Sequence, residues 1–144
     1  MRNKKLIIVS GLSGSGKSVA LHTLEDLGYY CIDNLPLFLL KELALGLKDD
    51  DTLAKTAVGI DARNRPEQLH VLPDLAGKLC DSSRDCRVLY LEAQTDTLIR
   101  RFSETRRKHP LTAPDRALAE AIELERKLLE PILSEADLRI DTTH

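Results

Sequence analysis

Gly11-Leu12-Ser13-Gly14-Ser15-Gly16-Lys17-Ser18 satisfies G-x-x-x-x-G-K-S at every fixed position. Such a run suits one chemistry, the cradling of a phosphate chain. Glycines let the backbone take positive φ and curl around an anion, with successive N–H groups turned inward. A helix that starts at the end of the run adds its positive dipole end. Lys17 supplies a point charge for β- and γ-phosphates, and Ser18 a hydroxyl for Mg²⁺. The dinucleotide pattern G-x-G-x-x-G is not met, because Val19 stands where its third glycine belongs.

Phosphoryl chemistry also calls for carboxylates, to hold the metal or to accept a proton. Asp33, Asp61 and Glu92 each follow a short apolar run and are the candidates. Asp33 suits a base facing an acceptor, and equally a helix cap ahead of Asn34 and Pro36. Asp61-Ala62-Arg63-Asn64 offers an acceptor, a cation and an amide together. That set could read a guanine edge, a ribose or an acceptor phosphate, and it is also the composition of a plain turn. Arg100, Arg101, Arg106, Arg107, Lys108 and His109 form a basic block ended by Pro110. Some of Arg100, Arg106 and Arg107 suit a lid over a triphosphate, where charge develops in the transition state. Arg101 and Arg107 are read as outward-facing. An RNA phosphate patch is the third reading, without aromatic residues for base stacking. His109 has no carboxylate close to it in sequence.

The elements that must carry these residues alternate. Leu6–Val9 reads as a buried strand, and Tyr29–Ile32, Ala57–Ile60, Arg87–Leu91 and Leu138–Ile140 as four further apolar strands. Between them the spacing predicts a helix from about Lys17 to a stop at Gly28, and one capped by Asn34 with Leu39, Leu40, Leu43 and Leu47 inward. Further helices are predicted over about Pro66 to Leu79 and from about Asp96 with Leu98, Ile99 and Phe102 inward. A long one follows, started by Thr112, Pro114 and Asp115 and carrying Leu118, Ile122, Leu129 and Leu133. This is an α/β fold of the P-loop NTPase, kinase-like kind, with about five parallel strands covered by helices on both faces. Ligands of such sheets bind at the carboxyl ends of the strands, where the loop, Asp33, Asp61 and Glu92 fall.

The 144 residues fit one domain, and aromatic residues at 3% leave its core to Leu, Ile, Val and Ala, as parallel sheets favour. A net charge of −2 excludes a polycation that binds nucleic acid over its whole surface. Cys31, Cys80 and Cys86 form no C-x-x-C pair and read as reduced, buried thiols. No apolar run is long enough for a signal peptide or a membrane span, so a cytoplasmic protein is expected. The final strand lacks a covering helix, which reads as one P-loop nucleotide-binding domain, 1–144, at the N-terminal part of a longer protein.

SGLSGSGKSVALHTLEDLGYYCIDNLP, IDARN and TLIRRFSETRRKHPL, in that order, resemble the N-terminal domain of the RapZ family, bacterial RNase adapters also called UPF0042 nucleotide-binding proteins. The resemblance spans essentially the whole chain. It implies ATP at Gly11–Ser18, a GTP site at Asp61–Asn64, Mg²⁺ and weak hydrolysis. It further implies an adapter that presents small RNAs to an endoribonuclease in control of amino-sugar and cell-envelope metabolism. RNA and the endoribonuclease are tied largely to a C-terminal half that the sequence lacks, and the resemblance also implies a homo-oligomer, with no surface marked for it. Glu92 stands where an Asp is expected, which moves the metal-side role to Asp61 and Asp33. With Lys17, Asp33 and Arg106 as the catalytic candidates, a free-standing small-molecule kinase is the rival reading.

Overall fold

The computed structural model describes residues 4–47, 54–61, 69–70, 74, 84–105, 108–113 and 116–143. Its strands are β1 (Lys4–Gly11), β2 (Tyr30–Ile32), β3 (Lys55–Gly59), β4 (Arg84–Glu92) and β5 (Leu138–Asp141). They form one parallel sheet in the order β2-β3-β1-β4-β5, with Ile8 of β1 in register with Val58 of β3 and with Val88 of β4. The helices are α1 (Lys17–Asp26), α2 (Leu40–Leu47) after a 3₁₀ turn at Leu37–Leu39, α3 (Thr95–Thr105), α4 (Leu118–Leu128) and α5 (Glu130–Leu133).

Both faces of the sheet are apolar because helices cover both. Ile7 and Val9 of β1 join Ala57 and Leu91 against Leu21 and Leu24 of α1. The alternate residues Leu6 and Ile8 join Val58, Val88 and Tyr90 in the larger cluster, against Leu40, Leu98, Ile122 and Ile132. Desolvation in that cluster pushes the Tyr90 phenol well above its usual range, and the Glu125 carboxylate adds to it. β1 sits between β3 and β4: the chain builds β2 and β3 on one side of it, then crosses to build β4 and β5 on the other. The crevice at that reversal is where an α/β sheet takes its ligand.

The five predicted strands are all present. Three other expectations need correction. Asn34 does not cap the element after β2: the 3₁₀ turn starts at Leu37 with Pro36 at its N-cap, and Asn34 sits at φ 56° in a left-handed turn. The long helix starts at Leu118 with Ala117 at its N-cap. Thr112 turns its hydroxyl back onto the His109 carbonyl at 2.7 Å instead, a local bond that competes with capping. Pro114 and Asp115 lie outside the described residues. The thiols are not uniform: Cys31 is free, and Cys86 is disulfide-bonded. Burial pushes the Cys31 thiol up, with Glu25 adding to it. The predicted helix at 66–79 falls mostly outside the described residues, although Leu69 is helical and fully buried in the core.

Candidate functional site

The glycine run links the carboxyl end of β1 to the start of α1. Gly11, Gly14 and Gly16 sit at φ 145°, 85° and 109°, so the loop needs glycine at all three. Leu12 is fully buried, and its N–H donates to the Leu91 carbonyl of β4 at 3.1 Å. The Ser15 hydroxyl donates to the Leu12 carbonyl. Among the described residues no side chain caps α1, whose first turn carries no acidic residue. A side chain built on Gly16 would meet open space. The helix start therefore opens onto a cleft of about 800 Å³, lined in part by Lys17, Ser18, Asp33, Asp61 and Lys108.

Lys17 and Asp61 face each other there. The Lys17 ammonium is 3.9 Å from an Asp61 carboxylate oxygen, and Asp61, just past β3, is 5% exposed. Asp33, just past β2, receives the Asn34 N–H on its Oδ1 at 2.8 Å. It comes so close to β3 that a side chain on Gly59 would lie 2.6 Å from that oxygen. Both carboxylates line this cleft, as expected for strand-end acids. Glu92 does not: it is paired with Arg139 of the edge strand at 2.9 Å. Among the described residues no cluster of three or more His, Cys, Asp or Glu could hold a metal alone. The donor set fits Mg²⁺, which keeps waters and binds one or two carboxylates together with ligand phosphates. Ser18 and Asp61 would hold it, with Asp33 beside them.

The basic block is arranged differently from expectation. Arg101 does not face solvent. Its guanidinium donates to the Gly14 carbonyl at 2.9 Å, to the Thr142 hydroxyl at 3.1 Å and to the Thr142 carbonyl. The Thr142 hydroxyl in turn donates to the Ser15 carbonyl at 2.7 Å. The residues just after β5 thus brace the loop from behind, with Arg101 as the strut. Arg100 is exposed. Arg106, Arg107 and Ala62-Arg63-Asn64 lie outside the described residues. Lys108 and Pro110 line the cleft.

His109 has a carboxylate after all, sixteen residues on, at Glu125 of α4. Both are essentially fully buried. Glu125 also receives the Ser13 N–H at 2.8 Å and the Ser13 hydroxyl at 2.6 Å. Neither Glu125 nor Thr142 was marked by any motif. The one local signal is a glutamate at an apolar-stripe position of an otherwise amphipathic helix, between Ile122 and Leu129.

Arg101 gives the first prediction. Arg101→Ala should weaken triphosphate binding roughly tenfold, since each lost hydrogen bond from a charged donor is worth about 1.5–3 kcal/mol, part of it regained by water. Arg101→Lys should lose nearly as much, because an ammonium cannot span Gly14 and Thr142 as the planar fork does. Full recovery by lysine in a calorimetric titration would mean that Arg101 supplies charge and no bracing.

Comparison with known proteins agrees with this construction. The Nucleotide-binding protein MCA0739 of Methylococcus capsulatus is 58% identical over 143 residues, covering 97% of this chain and 48% of that protein. A nucleotide-binding protein of Alkalilimnicola ehrlichii is 54% identical, covering 100% of this chain and 51% of its own length. The chain thus spans about half the length of the curated relatives it matches. Among solved structures, a gluconokinase from Sinorhizobium meliloti superposes with a TM-score of 0.58 at 17% identity, covering all of this chain and 86% of that one. The YorR protein of Bacillus subtilis gives 0.56 at 19%, covering 96% and 85%, and the shikimate kinase of Acinetobacter baumannii 0.53 at 16%, covering 98% and 85%. These likenesses establish the P-loop kinase-like fold. The model of the RapZ-like N-terminal domain matches residues 4–144, and the chain belongs to that family.

Proposed function

We propose that the domain binds a nucleoside triphosphate with Mg²⁺ on the Gly11–Ser18 loop and serves as the nucleotide-responsive module of an RNA-binding RNase adapter. One observation carries the nucleotide reading: an uncapped helix start, three positive-φ glycines and Lys17 beside buried Asp61 converge on one cleft. The relatives' name, nucleotide-binding protein, supports it. ATP is proposed for the loop. A GTP site at Asp61–Asn64 is proposed from the resemblance, and Asp61→Asn should then change the ratio of GTP to ATP affinity. Lys17 positions the phosphates, Asp33 and Arg106 are the further candidates for slow hydrolysis, and Ser18 and Asp61 hold the metal. No helix among the described residues is long and apolar enough to cross a membrane, in keeping with a proposed cytoplasmic setting. An endoribonuclease, a regulatory RNA and assembly with further copies are proposed for the whole adapter.

The rival reading is a kinase acting on a small acceptor, and one observation favours it: Asp33 lines the cleft across from the phosphate loop. The fold neighbours include kinases of gluconate and shikimate. Turnover of ATP with and without a panel of hydroxylated acceptors separates the two. The adapter reading expects slow hydrolysis that no acceptor accelerates; a rise of 100-fold or more with one acceptor overturns it.

RNA supplies another prediction. With net charge −2 and 3% aromatic residues, the domain lacks a stacking platform. Residues 1–144 alone should bind structured RNA weakly, without sequence preference, and lose that binding as salt rises, with about 3–5 phosphates neutralised. Gel-shift titrations at two salt concentrations measure this. Tight, salt-resistant, sequence-selective binding would place RNA recognition in this domain.

A further inference from the structure

The phosphate cleft has two walls that come from distant parts of the chain. One is the glycine loop. The other is the segment 108–111, which contributes Lys108 and Pro110 to the lining. A single buried carboxylate joins them. Glu125 Oε1 receives the Ser13 N–H at 2.8 Å and the His109 ring N–H at 3.0 Å, and Glu125 Oε2 receives the Ser13 hydroxyl at 2.6 Å. His109 Nδ1 accepts the Leu111 N–H at 3.0 Å, which fixes the tautomer with the proton on Nε2 and so aims that proton at Glu125. The Phe102 ring lies 5.2 Å from the imidazole and also closes over Gly14. The His109–Glu125 pair is buried, with Glu125 0% exposed and His109 1% exposed, while Ser13 is half-buried at the cleft.

A carboxylate in such a place is a poor device for stability alone, since an apolar side chain of the same size is often as good or better. What it does uniquely is accept from a loop amide, a loop hydroxyl and the opposite wall at once. We propose that Glu125, oriented by His109, is a positioning residue that holds Ser13 of the phosphate loop in the triphosphate-binding shape and ties the loop to the wall carrying Lys108. It touches no ligand. The inference rests on the loop being a nucleotide site.

Three substitutions and two readouts test it. Glu125→Met keeps the volume and removes every acceptor. It should fold and bind ATP at least tenfold more weakly, with AMP affinity changed less, because the loop grips the β- and γ-phosphates. Glu125→Gln can still accept with its carbonyl and meet the rotated Ser13 hydroxyl with its amide. It should bind ATP within about threefold of wild type. Hydrogen exchange at the Ser13 amide, measured without nucleotide, should rise at least tenfold in Glu125→Met and stay near wild type in Glu125→Gln. Should Glu125→Met not fold, His109→Phe keeps ring volume beside Phe102, cuts the bond to Glu125, and should weaken ATP binding threefold to tenfold. Wild-type ATP affinity in a folded Glu125→Met or in His109→Phe overturns the proposal, as does a loss in Glu125→Gln equal to that in Glu125→Met. If wild type itself binds no ATP, the nucleotide reading fails, while the exchange measurement still reports on the clamp.

Discussion

Lys17→Ala should reduce affinity for Mg-ATP roughly 30- to 100-fold, about 2–2.7 kcal/mol of binding free energy. The expectation follows from what surrounds the side chain. The backbone amides of the loop and the start of α1 carry only partial charges, each end of a helix being equivalent to about half an elementary charge. The Lys17 ammonium is the one full positive charge on the glycine loop itself, and hydrogen bonds to charged groups are worth about 1.5–3 kcal/mol. The same ammonium lies 3.9 Å from Asp61, so the substitution also takes a cation from beside a carboxylate that is 5% exposed. A modest drop in melting temperature should accompany the loss of binding, and Lys17→Ala combined with Asp61→Asn should recover the melting temperature without recovering affinity. Calorimetric titration and thermal melts of wild type and these two variants measure both effects. Unchanged ATP affinity in Lys17→Ala would remove the loop from nucleotide binding.

Which parts of this site were readable in the sequence follows from how far apart its partners lie. The loop was readable because all its requirements are local: three glycines for positive φ, then Lys17 and Ser18, between a β-branched strand and a helix. Asp33 and Asp61 were readable because parallel strands must end at the same edge, so acids that follow strands share a cleft. The Ser13–Glu125 contact spans 112 positions and the Ser15–Thr142 contact 127. A glutamate on an apolar stripe marks Glu125 as unusual, but nothing in either neighbourhood says which distant residue it meets, because the sheet order brings them together. β5 next to β4 is what carries Thr142 behind the loop. Arg101 was misread for the same reason: its helix position suggested solvent, and the partner that claims it arrives 41 residues later.

His109 and Arg101 show how the fold uses the basic block. Two of its four described members, Arg101 and His109, look into protein. Arg101 braces the loop from the β5 side and His109 from the α4 side, so the loop is held at Gly14 and at Ser13 by elements from opposite ends of the domain's second half. The N–H groups of a glycine-rich loop must stay pre-aligned to favour an anion, since each ordered backbone residue otherwise costs about 1–2 kcal/mol. With the Gly14 and Ser15 carbonyls and the Leu12, Ser13 and Ser15 amides bonded within the protein, the loop is held in shape before any ligand arrives.

Gly11→Ala should be the most destabilising single-methyl change in the loop. Gly11 is the last residue of β1 and sits at φ 145°, outside the range an L-residue holds without strain of order 1–3 kcal/mol. Its Cβ would also lie 2.2 Å from the Leu91 carbonyl oxygen and 2.8 Å from the Leu91 nitrogen, both backbone atoms of β4. No rotamer change can relieve that overlap. β1 and β4 must separate, in register across Gly11 and Leu91, at the point where the Leu12 N–H donates to the same carbonyl. Losing that buried bond adds about 1 kcal/mol or more. The sum, about 3–5 kcal/mol, is a large share of the roughly 5–15 kcal/mol that a domain commands. It should lower the melting temperature by about 10–20 °C. Gly16→Ala is the control: φ 109° also strains it, but its Cβ meets open space, so it should melt well above Gly11→Ala while losing triphosphate affinity, because a methyl group would intrude into the space proposed for the phosphates. Equal melting temperatures for the two variants would mean that backbone strain, and not the contact with β4, sets the requirement for glycine at position 11.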